Sequence, residues 1–471
     1  MRFLNSILAT TITCACIVLT SCSYLPYEEA KVEVEELNLK IAEAGHDNDE
    51  FEKFLLSQNY PKDSLPIKSW GIKELFLAQE FFNYELRVAH AEWEAIQQNE
   101  KISLLSPPSS IGLVVGRGDS NEEISKNLFG ASFSFSFESA NKKIIRHEIA
   151  FNQSQLALLK YESIEWKAKN NLLKKVFTFS KNSDLISTLK NELRLRKSIL
   201  DMLSNRVNMG IASQVDYDSL ELELNDVHKT LLNYQSQQQL LTHEIALLVG
   251  IDIEKFNLIP LSPINLEKSL EKVTLKFLDN RKIDELKKEA FRNNIGLRVM
   301  LAHYAISEGE LKYEYAKQYP DFNFTPAYVY EFGNNIWKLG IDFLFKSNER
   351  SEIFIAKASK LRDAEVVKIM QYQLKLNNDV ELIKANFINL MSQLEHAKKI
   401  NAKKINLTSQ LLKRFDEGLL DRFMLEQELI NLSKFDRQLH DAVYNLIQVG
   451  LEAESIFQIN FFNNAADFYE Q

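Results

Sequence analysis

The chain has 471 residues, 45% of them hydrophobic, which is enough to bury a large core. Its 14 glycines and 9 prolines are too few for an all-β protein full of tight turns. A net charge of -9 leaves no basic footprint for nucleic acid. The eight histidines are scattered, with no His-Glu-x-x-His pair, and there is no glycine-rich phosphate loop or nucleophile elbow. These features argue against an enzyme and call for no cofactor or metal.

The chain opens MRFLNSILATTITCACIVLTSC. Arg2 supplies a positive start, and the apolar run after it is too short to span a bilayer. This is the shape of a secretory signal, assigned to residues 1–21. Leu19-Thr20-Ser21-Cys22 resembles a bacterial lipobox, which implies acylation of Cys22 and, with Ser23 following, delivery to the outer membrane. The only cysteines are Cys14, Cys16 and Cys22, so the body has neither a disulfide nor a cysteine metal site. An acidic extension, residues 22–69, is punctuated by Pro26, Pro61 and Pro66.

Residues 71–103 read as a helix. Two strands follow, 111–117 and 129–137. In the second, Phe133, Phe135 and Phe137 alternate with Ser132, Ser134 and Ser136, giving one aromatic face and one small polar face. Two structures fit that pattern. A soluble sheet would bury the rings on its own core, whereas a membrane barrel would turn them to lipid. From about 140 to 206 the apolar spacing of Ile186, Leu189, Leu193, Leu200, Leu203 and Val207 is a coiled-coil seam. That helix would be on the order of 100 Å long. Arg206 and Gly210 end it as a helix end requires, and plain capping accounts for both residue types. A second helix keeps the seam through Leu220, Leu224, Val227, Leu231, Leu241 and Ile245 to Gly250.

Residues 251–282, with Pro260 and Pro263, form a connector. The whole pattern then recurs over 283–457, before a tail at 458–471. A helix at 283–316 precedes strands at 321–332 and 336–345, with a turn expected at Gly333-Asn334-Asn335. Ile341, Phe343 and Phe345 share one face of the last strand. A second long helix, with a seam through Leu376, Val380, Ile383, Phe387 and Leu394, ends at Arg414 and Gly418. Phe137 and Phe345, and likewise Arg206 and Arg414, are each 208 residues apart. No insertion has entered either long helix, as a packed helix requires, because one extra residue rotates a face by about 100°. No later apolar run is long enough for a transmembrane helix, so any span must be made of strands. Four strands cannot close a transmembrane barrel, so copies must pool theirs; two copies give a filled barrel and three leave a lumen.

The order helix, hairpin, long helix and return helix, duplicated over residues 70–457 (first repeat 70–250), resembles the TolC-type outer-membrane efflux family. The Arg-x-x-x-Gly tips (Arg206 to Gly210, Arg414 to Gly418) match the family's tip pattern, and Trp70-Gly71-Ile72-Lys73-Glu74-Leu75 with Arg87 to Trp93 resembles its opening helix. The resemblance implies a mainly α fold with a small β part: duplicated long antiparallel coiled coils, plus four strands per chain that complete a trimeric transmembrane barrel. It also implies a passive conduit in a tripartite efflux or type I secretion system. Partners would be two further copies, outer-membrane lipid, and a periplasmic adaptor of an inner-membrane pump at the tips. Family members often carry acids at the sixth and ninth positions after the second tip glycine; here these are Met424 and Gln427, with Asp216 and Ser219 in the first repeat. The competing readings are a periplasmic adaptor and a coiled-coil scaffold without a pore.

Overall fold

The computed structural model describes residues 26–118, 127–277, 287–288, 290–343, 348–459 and 462. Residues 1–43 and 44–471 form separate units. Within the described part of the first lies α1 (Val34–Glu43), whose Lys40 pairs with Glu36 at 2.7 Å.

The body begins with α2 (Asp49–Ser57), whose N-terminus is capped by the Asn48 carboxamide. Next come α3 (Ile72–Phe82) and α4 (Tyr84–Ser103) where the sequence predicts one helix. Strands β1 (Ser110–Arg117) and β2 (Asn127–Phe137) lead into the 67-residue α5 (Lys142–Asn208) and the return helix α6 (Gln214–Val249). The connector holds α7 (Ile253–Phe256) and α8 (Leu266–Phe277). The second half repeats the plan with α9 (Ile295–Ala316), β3 (Phe322–Glu331), β4 (Asn334–Phe343), the 69-residue α10 (Asn348–Asp416) and α11 (Arg422–Phe457). The duplication is in register: Asn208 and Asp416, Gln214 and Arg422, and Val249 and Phe457 are each 208 apart.

The break between α3 and α4 has a definite cause. Asn83 leaves helical geometry (φ -65°, ψ 117°), and its Oδ1 accepts the Leu86 N–H to start a new helix. Its Nδ2 donates to the Leu248 carbonyl at 2.7 Å, joining the end of α6 to the start of α4. Gly250, at φ +89°, permits that junction; a Cβ there would lie 2.5 Å from the Phe82 carbonyl oxygen. Asn294 repeats the device before α9. It caps Leu297 N–H and donates to the Ile456 carbonyl, the residue 208 positions after Leu248. Each long helix therefore runs beside a short and a return helix stacked end to end. Asn83→Ala removes a cap and a buried bond together. We expect a loss of about 1–2 kcal/mol, read as a lowered melting temperature by calorimetry, while Asn83→Asp keeps the cap and loses less.

Two cores hold the middle. In one, Trp70 stacks on Phe256 (centroids 5.4 Å apart, planes 3° apart) and donates to the Phe256 carbonyl, among Phe51, Leu55, Leu75 and Ile245. Residues 44–69 thus pack on the body rather than trail from it. The other core brings Leu173 and Phe177 of the first half against Val380, Phe387, Leu446 and Ile447 of the second. Nearer the tips, Glu192 on α5 is fully buried between two arginines. Arg196 Nε lies 3.0 Å from Oε1, and Arg437 Nη2, from α11, lies 3.0 Å from Oε2.

Candidate functional site

The four strands form one antiparallel sheet in the order β1-β2-β3-β4. Its register places Ile111 opposite Phe133, Phe135 opposite Phe324, Phe137 opposite Phe322, Phe322 opposite Phe343, and Phe324 opposite Ile341. Because side chains alternate between faces, all of these lie on one face. That face is open. Phe133 is 49% exposed, Phe135 41%, Phe137 49%, Ile341 53% and Phe343 52%. Leu113, Val115 and Leu339 extend the apolar face to both sides. A soluble sheet with an aromatic core would have sealed these rings. Over the nine residues from Phe129 to Phe137 the band is about 27 Å long at ~3.4 Å per residue, less when the strand tilts. Phe345 and Cys22 lie outside the described residues.

The opposite face is lined by hydroxyls and amides near the helices. Ser136 Oγ donates to Asn323 Oδ1 at 2.7 Å, and Thr325 Oγ1 donates to Ser134 Oγ at 3.0 Å. It is not polar throughout: Val114, Leu128, Val329 and Ile336 share that side towards the hairpin end. The β3–β4 turn is Phe332-Gly333, with Glu331 paired to Asn334, so Asn334 and Asn335 belong to β4 rather than to the turn. Both turn residues have positive φ (49° and 104°), as a two-residue turn that matches strand twist requires. Phe332 N–H donates to the Asn127 carbonyl at 3.2 Å, which holds this bulky residue in an unusual conformation. Of the sheet's strands, β1 and β4 each have one partner only, leaving two open edges.

The strands pass into the helices through anchored charges. Lys142, 4% exposed, donates to the Tyr319 carbonyl and to Asp321, both at 2.7 Å. Burial raises the Asp321 carboxyl, but the Lys142 ammonium and the Ser139 donors outweigh it and hold the pKa below the ordinary value. Arg146 grips Glu138 and the Ser103 and Leu105 carbonyls.

At the far end, the two tips share one backbone motif. Ile211 N–H donates to the Arg206 carbonyl (2.9 Å) and Leu419 N–H to the Arg414 carbonyl (2.8 Å). Gly210 and Gly418 supply φ of +73° and +72°. This is the Schellman closure, and it fixes the four-residue spacing from Arg to Gly. The side chains then diverge. Arg206 Nη2 donates to Asp421 Oδ2 at 2.6 Å and lies over the Phe423 ring, tying the first tip to the start of α11. The Arg206 guanidinium holds the Asp421 carboxyl below its ordinary range. Arg414 is exposed and has no ion pair among the described residues. Met209, Ile211, Val215, Leu419 and Met424 leave apolar surface exposed around both tips. Asp416 and Glu417 are exposed, whereas Glu426 is buried beside Arg422, its Oε1 2.9 Å from Nε.

This architecture matches several solved structures. The outer membrane protein VceC of Vibrio cholerae superposes with a TM-score of 0.65 at 14% identity, over 83% of this chain and 96% of that one. The outer-membrane channel OprN gives 0.65 at 13% identity over 93% and 98%. The outer membrane channel CmeC of Campylobacter jejuni gives 0.62 at 11% identity over 92% and 93%. No protein-family model matches the sequence, and neither does any curated protein. The chain has the outer-membrane channel fold. Within that fold, the sequence brings together the residues it singled out on β2 and β4, and it places Arg206, Gly210, Arg414 and Gly418 at one end of the helices. It gave no warning of Asn83 and Asn294, which splice the channel fold's short helices to its return helices. The readable signal was a shared Asn-x-x-Leu, Asn83 to Leu86 and Asn294 to Leu297.

Proposed function

We propose that the chain is the outer-membrane channel component of a tripartite efflux or type I secretion system, a passive conduit across the periplasm and outer membrane. The observation that carries this is an exposed aromatic band on an open-edged sheet whose reverse face is lined by hydroxyls at its helical end, continuous with helices about 100 Å long. Three copies would join their open edges into twelve strands, enough for a lumen. Phe133, Phe135, Phe137, Ile341 and Phe343 would then face lipid, Phe345 with them, and acylated Cys22 would add an anchor. An adaptor or scaffold without a pore has no use for such a band.

The exposed apolar tips are suited to an adaptor, and the Arg206–Asp421 bond is suited to hold them until one docks. Asp421 has a depressed folded pKa, so this bond contributes above the ordinary carboxylate range and is lost as pH falls through the lowered value. Acidification below about pH 4 is therefore expected to loosen the first tip. Hydrogen exchange at 206–215 should accelerate there in the wild type but already be fast at neutral pH in Asp421→Asn. If exchange in the two proteins is equal at pH 7, the bond does not hold the tip.

The function itself is tested with full-length protein extracted from outer-membrane fractions. Heat-resistant oligomers that give discrete conductance steps in planar bilayers are expected. Monomers that leave the bilayer silent would overturn the proposal.

A further inference from the structure

A cavity of about 890 Å³ opens at mid-height in the helical wall, where α8 crosses α5, α10 and α11. It is remote from both the sheet and the tips. Its floor is apolar, built from Leu270, Leu394 and Val443. Its rim carries four carboxylates: Asp184, Glu267, Glu271 and Asp436. Lys398 is the one lysine or arginine among the residues lining it. Glu267, Glu271 and Asp436 have no ion pair among the described residues, and Asp184 has only His440, at 4.0 Å. Burial pushes the Asp184 carboxyl above its ordinary range, with His440 opposing, so its charge is poorly compensated.

A cluster of acids on a surface is ordinarily just solvated. Here a second feature points inward. Asn401 also lines the cavity, is 7% exposed, and its Oδ1 accepts no hydrogen bond. A buried amide oxygen left unpaired is costly, so the site favours a donor or a cation that reaches it. Asn401 stands seven residues after Leu394 on α10, where the heptad of Val380, Phe387 and Leu394 calls for another apolar residue. The corresponding residue of the first half, 208 positions earlier, is Leu193, so the first coiled coil carries an apolar side chain where the second carries an amide.

We propose that this cavity is a binding site for a small organic cation with an apolar body, seated on the leucine floor with its charge toward the carboxylate rim and Asn401. The volume is that of a drug-sized ligand, too confined for a folded partner. The excess of four rim carboxylates over the single Lys398 disfavours anions. The site is in the wall of the molecule, and its existence does not depend on whether the chain exports anything.

Equilibrium dialysis of the detergent-solubilised full-length protein tests this with tetraphenylphosphonium and its anionic isostere, tetraphenylborate. Saturable binding of the cation alone is expected. Glu271→Gln/Asp436→Asn should weaken it at least tenfold, and Asn401→Leu should weaken it while making the protein more heat-resistant. Binding of both ions alike marks simple partition into apolar surface or detergent and overturns the proposal. So does cation binding untouched by the double variant, which would locate it elsewhere. The rim carboxylates are solvent-facing or half-buried, so their neutral replacements preserve folding, which circular dichroism checks in each variant.

Discussion

Phe135→Arg should abolish the heat-resistant oligomer and its conductance, whereas Ser134→Asn, one residue away, should preserve both. Phe135 sits between Phe133 and Phe137 in the exposed band on β2, paired with Phe324 on β3. If that band meets hydrocarbon, a guanidinium there costs up to roughly 2–4 kcal/mol in each chain, the value at the bilayer midplane. Three copies multiply the cost within one barrel. Ser134 faces the other way and bonds Thr325, an interaction that an amide can replace. Outer-membrane fractions resolved without boiling give the readout. Equal tolerance of both substitutions would mean that the ring face touches water. Equal loss would mean that the strand is simply intolerant of change.

The second large effect is expected at Glu192. Its carboxylate lies between Arg196 and Arg437 with almost no exposure, and Arg437 comes from the other half of the chain. Glu192→Ala takes the shared carboxylate from buried Arg196 and part-buried Arg437, a loss of up to about 3–5 kcal/mol. Glu223 also bonds Arg196, at 2.5 Å, but it is more than half exposed. Its removal should cost less than about 1 kcal/mol, because solvent screens the pair. Thermal melts followed by circular dichroism at 222 nm compare the two. A larger fall for Glu223→Ala than for Glu192→Ala would show that the buried network does not join the halves.

The long elements were legible because their physics is local and repeated. The 3-4 spacing of Ile186 to Val207 and of Leu376 to Leu394 marks the seams of α5 and α10, and alternation marks β2 even though nothing nearby explains it. What escaped the sequence depends on contacts distant along the chain. The split at Asn83 is specified by Leu248, some 165 residues away, and the helical propensity of 71–103 is silent about it. The Phe332-Gly333 turn was missed because Gly-Asn-Asn is the stronger turn signal, while the actual turn is set by strand register and the bond to Asn127. At the tips, the spacing from Arg to Gly is explained by helix closure alone. Only the structure separates Arg206, which holds Asp421, from Arg414, which is exposed.

The most direct measurement is a scan of single cysteines through residues 132–137, in protein reconstituted into lipid vesicles and probed with a membrane-impermeant maleimide. Positions 132, 134 and 136 should react, while 133, 135 and 137 should stay silent until detergent strips the lipid. Uniform labelling, or reaction at the phenylalanine positions while the serine positions are shielded, would contradict a barrel wall whose rings face hydrocarbon and whose hydroxyls face a shared aqueous lumen.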